Sequence, residues 1–82
     1  MENIMLELVK YIAESLVDKP EEVKVSQTED ERSVVIELSV AREDMGKVIG
    51  KQGRIAKAIR AVVKAASSKS RKKYVVEIAE HD

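Results

Sequence analysis

The segment "VIGKQGRIAKAIR", residues 48–60, concentrates the residues whose types and spacing could do chemistry. Two glycines enclose a polar pair (Gly50, Lys51, Gln52, Gly53), and Arg54, Lys57 and Arg60 follow at steps of three. A turn bounded by glycines can take left-handed dihedrals, and with no Cβ in the way it lets another backbone come close. At the start of a helix after such a turn, unpaired amides and the positive end of the dipole face outward, an arrangement that attracts phosphate. Lys51 projects from the turn, and Arg54, Lys57 and Arg60 extend the positive potential along one flank. The plainer reading is a helix–helix turn with glycines chosen for shape. The placement of the segment, after an alternating strand and before a basic amphipathic helix, weighs against it.

Other chemistries find little support. Three residues separate Gly46 from Gly50, where a phosphate-binding P-loop needs four, and Gln52 stands where a magnesium-binding hydroxyl is required. The Gly46–Gly50 spacing is read instead as close helix packing. His81 is the sole histidine and sits in the penultimate position, where it is expected to be solvated rather than catalytic. The acids gather in "KPEEV", "TEDER" and Glu43-Asp44, which are turns or helix starts suited to solubility and capping, without metal-ligand spacing. The absence of cysteine excludes a disulfide framework and a thiolate metal site. No enzyme activity, metal or other cofactor is expected.

A formal net charge of zero conceals a division. Residues 45–76 carry ten basic side chains and no acid, while the remainder holds five basic and fifteen acidic residues. Such asymmetry suggests a polyanion partner for one face and solvation for the other. At 82 residues the chain suits one small domain with a two-layer core, so function must lie on its surface. Two tyrosines are the only aromatics, which makes the core aliphatic. Nothing at the amino end resembles a secretory leader, and no apolar run approaches the roughly 20 residues needed to span a bilayer. A cytoplasmic location without membrane attachment is therefore expected.

The elements that must position the glycine segment follow from periodicity. Residues 4–17 form an amphipathic helix with Ile4, Met5, Leu8, Tyr11, Ile12 and Leu16 on one side, stopping before Pro20. "EVKVSQT" and "RSVVIELSV" alternate as strands, joined by the acidic "TEDER", with Val34, Ile36, Leu38 and Val40 on one face. A short helix through 45–49 precedes the glycine turn. A second, over 54–66, carries Ile55, Ala58, Ile59, Val62, Val63 and Ala66 as its apolar stripe. "SSKSRKK" reads as a solvated connector before the strand "YVVEIAE". The order α-β-β-α-α-β describes an α+β domain with helices packed on one face of a three-stranded sheet.

"VIGKQG" followed by an amphipathic helix resembles the signature of KH domains, whose Gly-X-X-Gly loop clamps the backbone of about four nucleotides of single-stranded nucleic acid. The element order is similar to the bacterial, type II version of that fold. "MLELVKYIAESLVDKPEEVKV", "RSVVIELSVAREDMGKVIGKQGRIAKAIRAVVKAA" and the final strand resemble the small single-domain KhpA family of bacterial KH proteins over nearly the whole chain, 1–82. The resemblance implies that Gly50 and Gly53 admit the sugar–phosphate backbone and that Lys51 and Gln52 supply charge and hydrogen bonds to it. Val48, Ile49 and Ile55 would form part of an apolar floor, Lys47, Arg54, Lys57 and Arg60 would add electrostatic support, and the edge of the strand around Val35 to Ser39 would be the opposite wall. KH domains generally place a large aliphatic residue three positions after the second glycine; here it is Ala56.

The expected function is non-enzymatic binding of single-stranded RNA, as a post-transcriptional regulator or RNA chaperone, with single-stranded DNA left open as a ligand. An RRM or OB-type reader would need aromatic rings for base stacking, and Tyr11 and Tyr74 are read as core or rim residues. The resemblance also implies homodimers, a heterodimer with a KH protein of the Jag or KhpB type, and a connection to cell elongation and division. Two alternatives remain. One is a protein-interaction module using the same loop face. The other is a duplex-DNA reader with 54–66 as recognition helix, disfavoured by the short helix and two strands that precede it.

Overall fold

Apolar residues at every second position of the segment 33–41 build the central strand of the domain. The computed structural model describes residues 4–81, with the main chain alone at Lys51, Gln52 and His81. In chain order it contains α1 (Ile4–Leu16), a 3-10 turn (Pro20–Glu22), β1 (Lys24–Glu29), β2 (Ser33–Ala41), α2 (Arg42–Ala66) and β3 (Lys73–His81). The α+β class with a three-stranded sheet is as expected. The sheet order is β1-β2-β3. β1 runs antiparallel to β2 with Gln27 opposite Ile36, and β3 runs parallel to β2 with Val76 opposite Ile36. Parallel neighbours require a crossover, and α2 is that crossover.

The alternation reads out as predicted. Val34, Ile36, Leu38 and Val40 are buried beneath the helices, while Ser33, Val35, Glu37 and Ser39 take the other face. Val9, Ala13, Val17, Val48, Ala56, Ile59, Val63 and Val76 complete an aliphatic core. Each fully buried Val, Leu or Ile side chain contributes about 1.5–3 kcal/mol relative to exposure.

Asp30 closes the β1–β2 connection: its carboxylate accepts the backbone N–H groups of Arg32 at 2.8 Å and Ser33 at 2.7 Å. These bonds, that of Arg32 first, hold its pKa below the ordinary aspartate value. A carboxyl whose folded pKa is depressed contributes stability above its unfolded pKa, and that contribution is lost as pH falls through the folded value. An NMR titration of Asp30 should therefore show a midpoint below that of an unstructured aspartate; a midpoint at or above it would mean the connection is not closed this way.

The expected inward faces of both helices are corrected. α1 turns Val9 and Ala13 inward, with Met5, Leu6 and Ile12 packed partly against them, and leaves Ile4 and Tyr11 73% and 71% exposed. The segment is apolar around most of its circumference, so spacing alone did not select the face. The small side chains at 9 and 13 let the helix approach its neighbours closely, and packing density decides. On α2, Ala56 belongs to the core while Ala58 and Ala66 are exposed.

The glycine segment does not separate two helices. Helical hydrogen bonding runs through it from Arg42 to Ala66, and Gly53 alone takes a left-handed dihedral, φ 66°. Glycine has no Cβ to penalise a positive φ, and the helix continues past this single left-handed residue.

Candidate nucleic-acid interface

The first turn of α2 is tied down before the glycine segment begins. Asp44, fully buried, accepts the backbone N–H of Asp18 at 2.9 Å on one carboxylate oxygen and that of Lys19 at 3.0 Å on the other. The acid expected to cap α2 thus satisfies the chain leaving α1, and α2 itself starts after Ala41 without a side-chain cap. Lys19 donates to Glu43 at 2.9 Å; this bond raises the lysine pKa and lowers that of the glutamate. Lys47, expected to support nucleic-acid binding, donates to Asp18 at 3.1 Å.

Past this anchor the helix carries open backbone. A Cβ added at Gly50 or Gly53 would meet no described atom within 4 Å beyond its chain neighbours and the backbone of its own helix, although at Gly53 the positive φ would strain any L side chain. A Cβ at Gly46 meets nothing either, which removes the expected role of Gly46 in close helix packing. The side chains of Lys51 and Gln52 lie outside the described residues. Of the expected apolar floor, Val48 is buried in the core, Ile55 packs partly against it, and Ile49 points outward with 53% exposure. These three do not make one surface.

Gly53, Lys57, Arg60 and Lys64 recur at steps of four, three and four and so share a flank of α2. Arg54, Lys57 and Lys64 have no carboxylate partner among the described residues. A groove of about 550 Å³ runs beside this flank, between the C-terminal half of α2 and β3, lined by Arg60, Val63, Lys64, Lys72, Tyr74 and Val76 among others. The Arg60 guanidinium reaches across to donate to the Val76 carbonyl at 3.4 Å. That carbonyl faces the free edge of β3.

The wall expected from Val35 to Ser39 is corrected here. β2 is the central strand, hydrogen-bonded on one side to β1 and on the other to β3, so the available edge next to the basic flank belongs to β3.

The sequence matches the family described as "KhpA/KhpB, KH domain" over residues 6–78, a span that includes the glycine segment, its flank and most of β3. The chain belongs to this KhpA/KhpB family of KH domains. It is 68% identical over 74 residues to the RNA-binding protein KhpA of Clostridium perfringens, covering 90% of this chain and 99% of that protein. It is 54% identical over 76 residues to the RNA-binding protein KhpA of Listeria monocytogenes, covering 93% and 100%. With the RNA-binding protein KhpA of Borreliella burgdorferi it shares 45% identity over 73 residues, 89% of each. No solved structure matches it.

In this KH domain Ala56 faces the core at 5% exposure, so the apolar lining of the groove comes from Val63, Tyr74 and Val76 rather than from a large side chain at that position. Sequence reasoning took Tyr74 as core or rim and 67–73 as connector, and it missed that Lys72, Lys73, Tyr74 and Val76 border the groove. A signal was present: a strand that follows a single helix after another strand returns parallel and adjacent to it. This would have placed β3, not β2, beside the helix flank.

Proposed function

We propose that this KH domain is a non-enzymatic binder of single-stranded RNA. The backbone at Gly50 to Gly53 clamps the sugar–phosphate chain, Lys51, Gln52, Arg54, Lys57 and Arg60 supply charge and hydrogen bonds, and bases enter the groove against β3. The observation that carries the reading is the run of cations without carboxylate partners along the flank that begins at the left-handed Gly53. The names of the relatives supply RNA as the ligand. Single-stranded DNA, which lacks the 2′-hydroxyl, serves as the comparison ligand. A role as post-transcriptional regulator or RNA chaperone in the cytoplasm, connected to cell shape, is part of the same proposal. No described helix is long and apolar enough to cross a membrane.

Two glycine substitutions test the clamp. Gly46 and Gly50 both lie in α2 with open space where a Cβ would go, so alanine at either should raise stability by about 0.5–1 kcal/mol. Only Gly50→Ala should lower RNA affinity, on the order of tenfold, because its methyl intrudes where the RNA backbone packs. Thermal melts and RNA titrations of both variants check this. Equal RNA affinity for the two variants would sink close approach at Gly50.

A second reading is favoured by Ile49, a large apolar side chain 53% exposed directly before Gly50. The same loop face would then form a homodimer, or a heterodimer with a KhpB or Jag-type KH protein. Mass measurements across concentrations, with and without Gly50→Asp, separate the two. Assembly lost together with RNA binding would place both uses on one surface.

A further inference from the structure

We infer that the turn 67–73, together with Lys64, is a second phosphate-binding patch that carries an RNA strand beyond the nucleotides held at the glycine segment. This rests on the RNA clamp proposed above and extends it to a longer ligand. The turn stands at the far end of the groove. Lys64 lies eleven residues past Gly53, about 16 Å along the helix, and Ser67, Ser68, Lys72 and Lys73 complete the lining there.

The turn has a defined shape. Ser70 N–H donates to the Ser67 carbonyl at 2.9 Å, Lys72 N–H to Ser70 Oγ at 3.1 Å, and Lys73 N–H to the Arg32 carbonyl at 3.0 Å. The Lys72 ammonium is bonded to Glu29, which fastens the turn to the β1–β2 connection. Lys64, Lys69, Arg71 and Lys73 have no carboxylate partner among the described residues.

The acids on the adjoining connection are largely committed: Glu29 to Lys72, and Asp30 to the amides of Arg32 and Ser33. Glu31 stays exposed beside them. They bound the patch on the side of the connection and direct a polyanion leaving the groove over Lys69 and Arg71. A hydrogen-bonded turn that gathers unpaired cations works against its own charge repulsion, and a phosphate chain relieves that repulsion. Cations presented from an ordered turn also lose less conformational freedom on binding.

Lys69 and Arg71 are exposed, and the hydrogen bonds that shape the turn come from main-chain atoms, the hydroxyls of Ser67 and Ser70 and the Lys72 ammonium, so Lys69→Ala, Arg71→Ala should fold as the wild type does. The experiment measures affinity for a four-nucleotide RNA and for a ten-nucleotide RNA containing it, at several salt concentrations. The expected result is tighter wild-type binding of the longer RNA. The double variant should bind the longer RNA about tenfold more weakly at 0.15 M salt, with a log–log salt slope shallower by about 1.4, and bind the short RNA within about twofold of wild type. Equal affinity of variant and wild type for the longer RNA, or a proportional loss on both RNAs, overturns the inference. If short-RNA binding is still abolished by Lys51→Asp, Gln52→Asp in that case, the clamp stands and only the extended track falls. If wild type binds neither RNA, both fall.

Discussion

A Lys51→Asp, Gln52→Asp variant keeps its fold and loses about 100-fold in affinity for single-stranded RNA at 0.1 M salt. The expectation follows from charge and from the backbone at this segment. Both glycines remain, so the left-handed residue at Gly53 is undisturbed and no Cβ is added where the RNA backbone would approach. The substitution removes one positive charge and adds two negative ones, a change of three charges. On a single strand each phosphate contact contributes about −0.7 to the log–log salt slope. Loss of the one cation, Lys51, should flatten the slope by about 0.7, the two added acids lower affinity further by repulsion, and variant and wild type should converge as salt rises. A variant that melts like wild type and binds RNA equally well at low salt would remove the glycine segment from the mechanism. RNA binding would then fall to the diffuse basic flank, and the protein-interaction reading would gain.

The second large effect concerns stability. Asp44→Ala should cost about 3 kcal/mol, because it leaves the N–H groups of Asp18 and Lys19 without their acceptor at a fully buried position. A domain of this size has about 4–12 kcal/mol in total, so the melting temperature should fall by roughly 15 °C. Asp44→Asn retains one acceptor oxygen but turns an amide NH2 toward a donor, and should recover less than half of the loss. Glu43→Ala is the contrasting control. Its bond to Lys19 joins exposed side chains, and pairs of that kind contribute little. Denaturation of the three variants with one denaturant checks the order. If Asp44→Ala melted like Glu43→Ala, the buried anchor between α1 and α2 would have no energetic weight.

These effects differ in how far ahead of the structure they were visible. The glycine segment stood out because glycine around Lys-Gln, followed by a flank of cations without acids, is a local pattern that one stretch of chain carries whole. The alternation of 33–41 was equally local, since a half-buried strand writes its two faces at period two. The role of Asp44 was not legible. A carboxylate at a helix start suggests a cap, and nothing near it in sequence names the amides of Asp18 and Lys19, more than twenty residues away, as its partners. The inward face of α1 was equally hidden, because a helix with apolar residues around most of its circumference offers several faces and close packing of Val9 and Ala13 selects one.

By itself, the sequence determined the α+β class, the three strands with their buried faces, the aliphatic core, the separation of charge and the place of the Gly-X-X-Gly segment. Each is set by the type and spacing of neighbouring residues. Only the tertiary structure decided that α2 runs unbroken through that segment with one left-handed residue, and that Val48 serves the core. It also decided that β3 rather than β2 offers the edge facing the basic flank, and that the 67–73 turn closes the far end of the groove. Those outcomes depend on which strand lies at the centre of the sheet and on how the crossover helix lies over it. Both are settled by contacts between residues far apart in the chain, where local spacing carries no instruction.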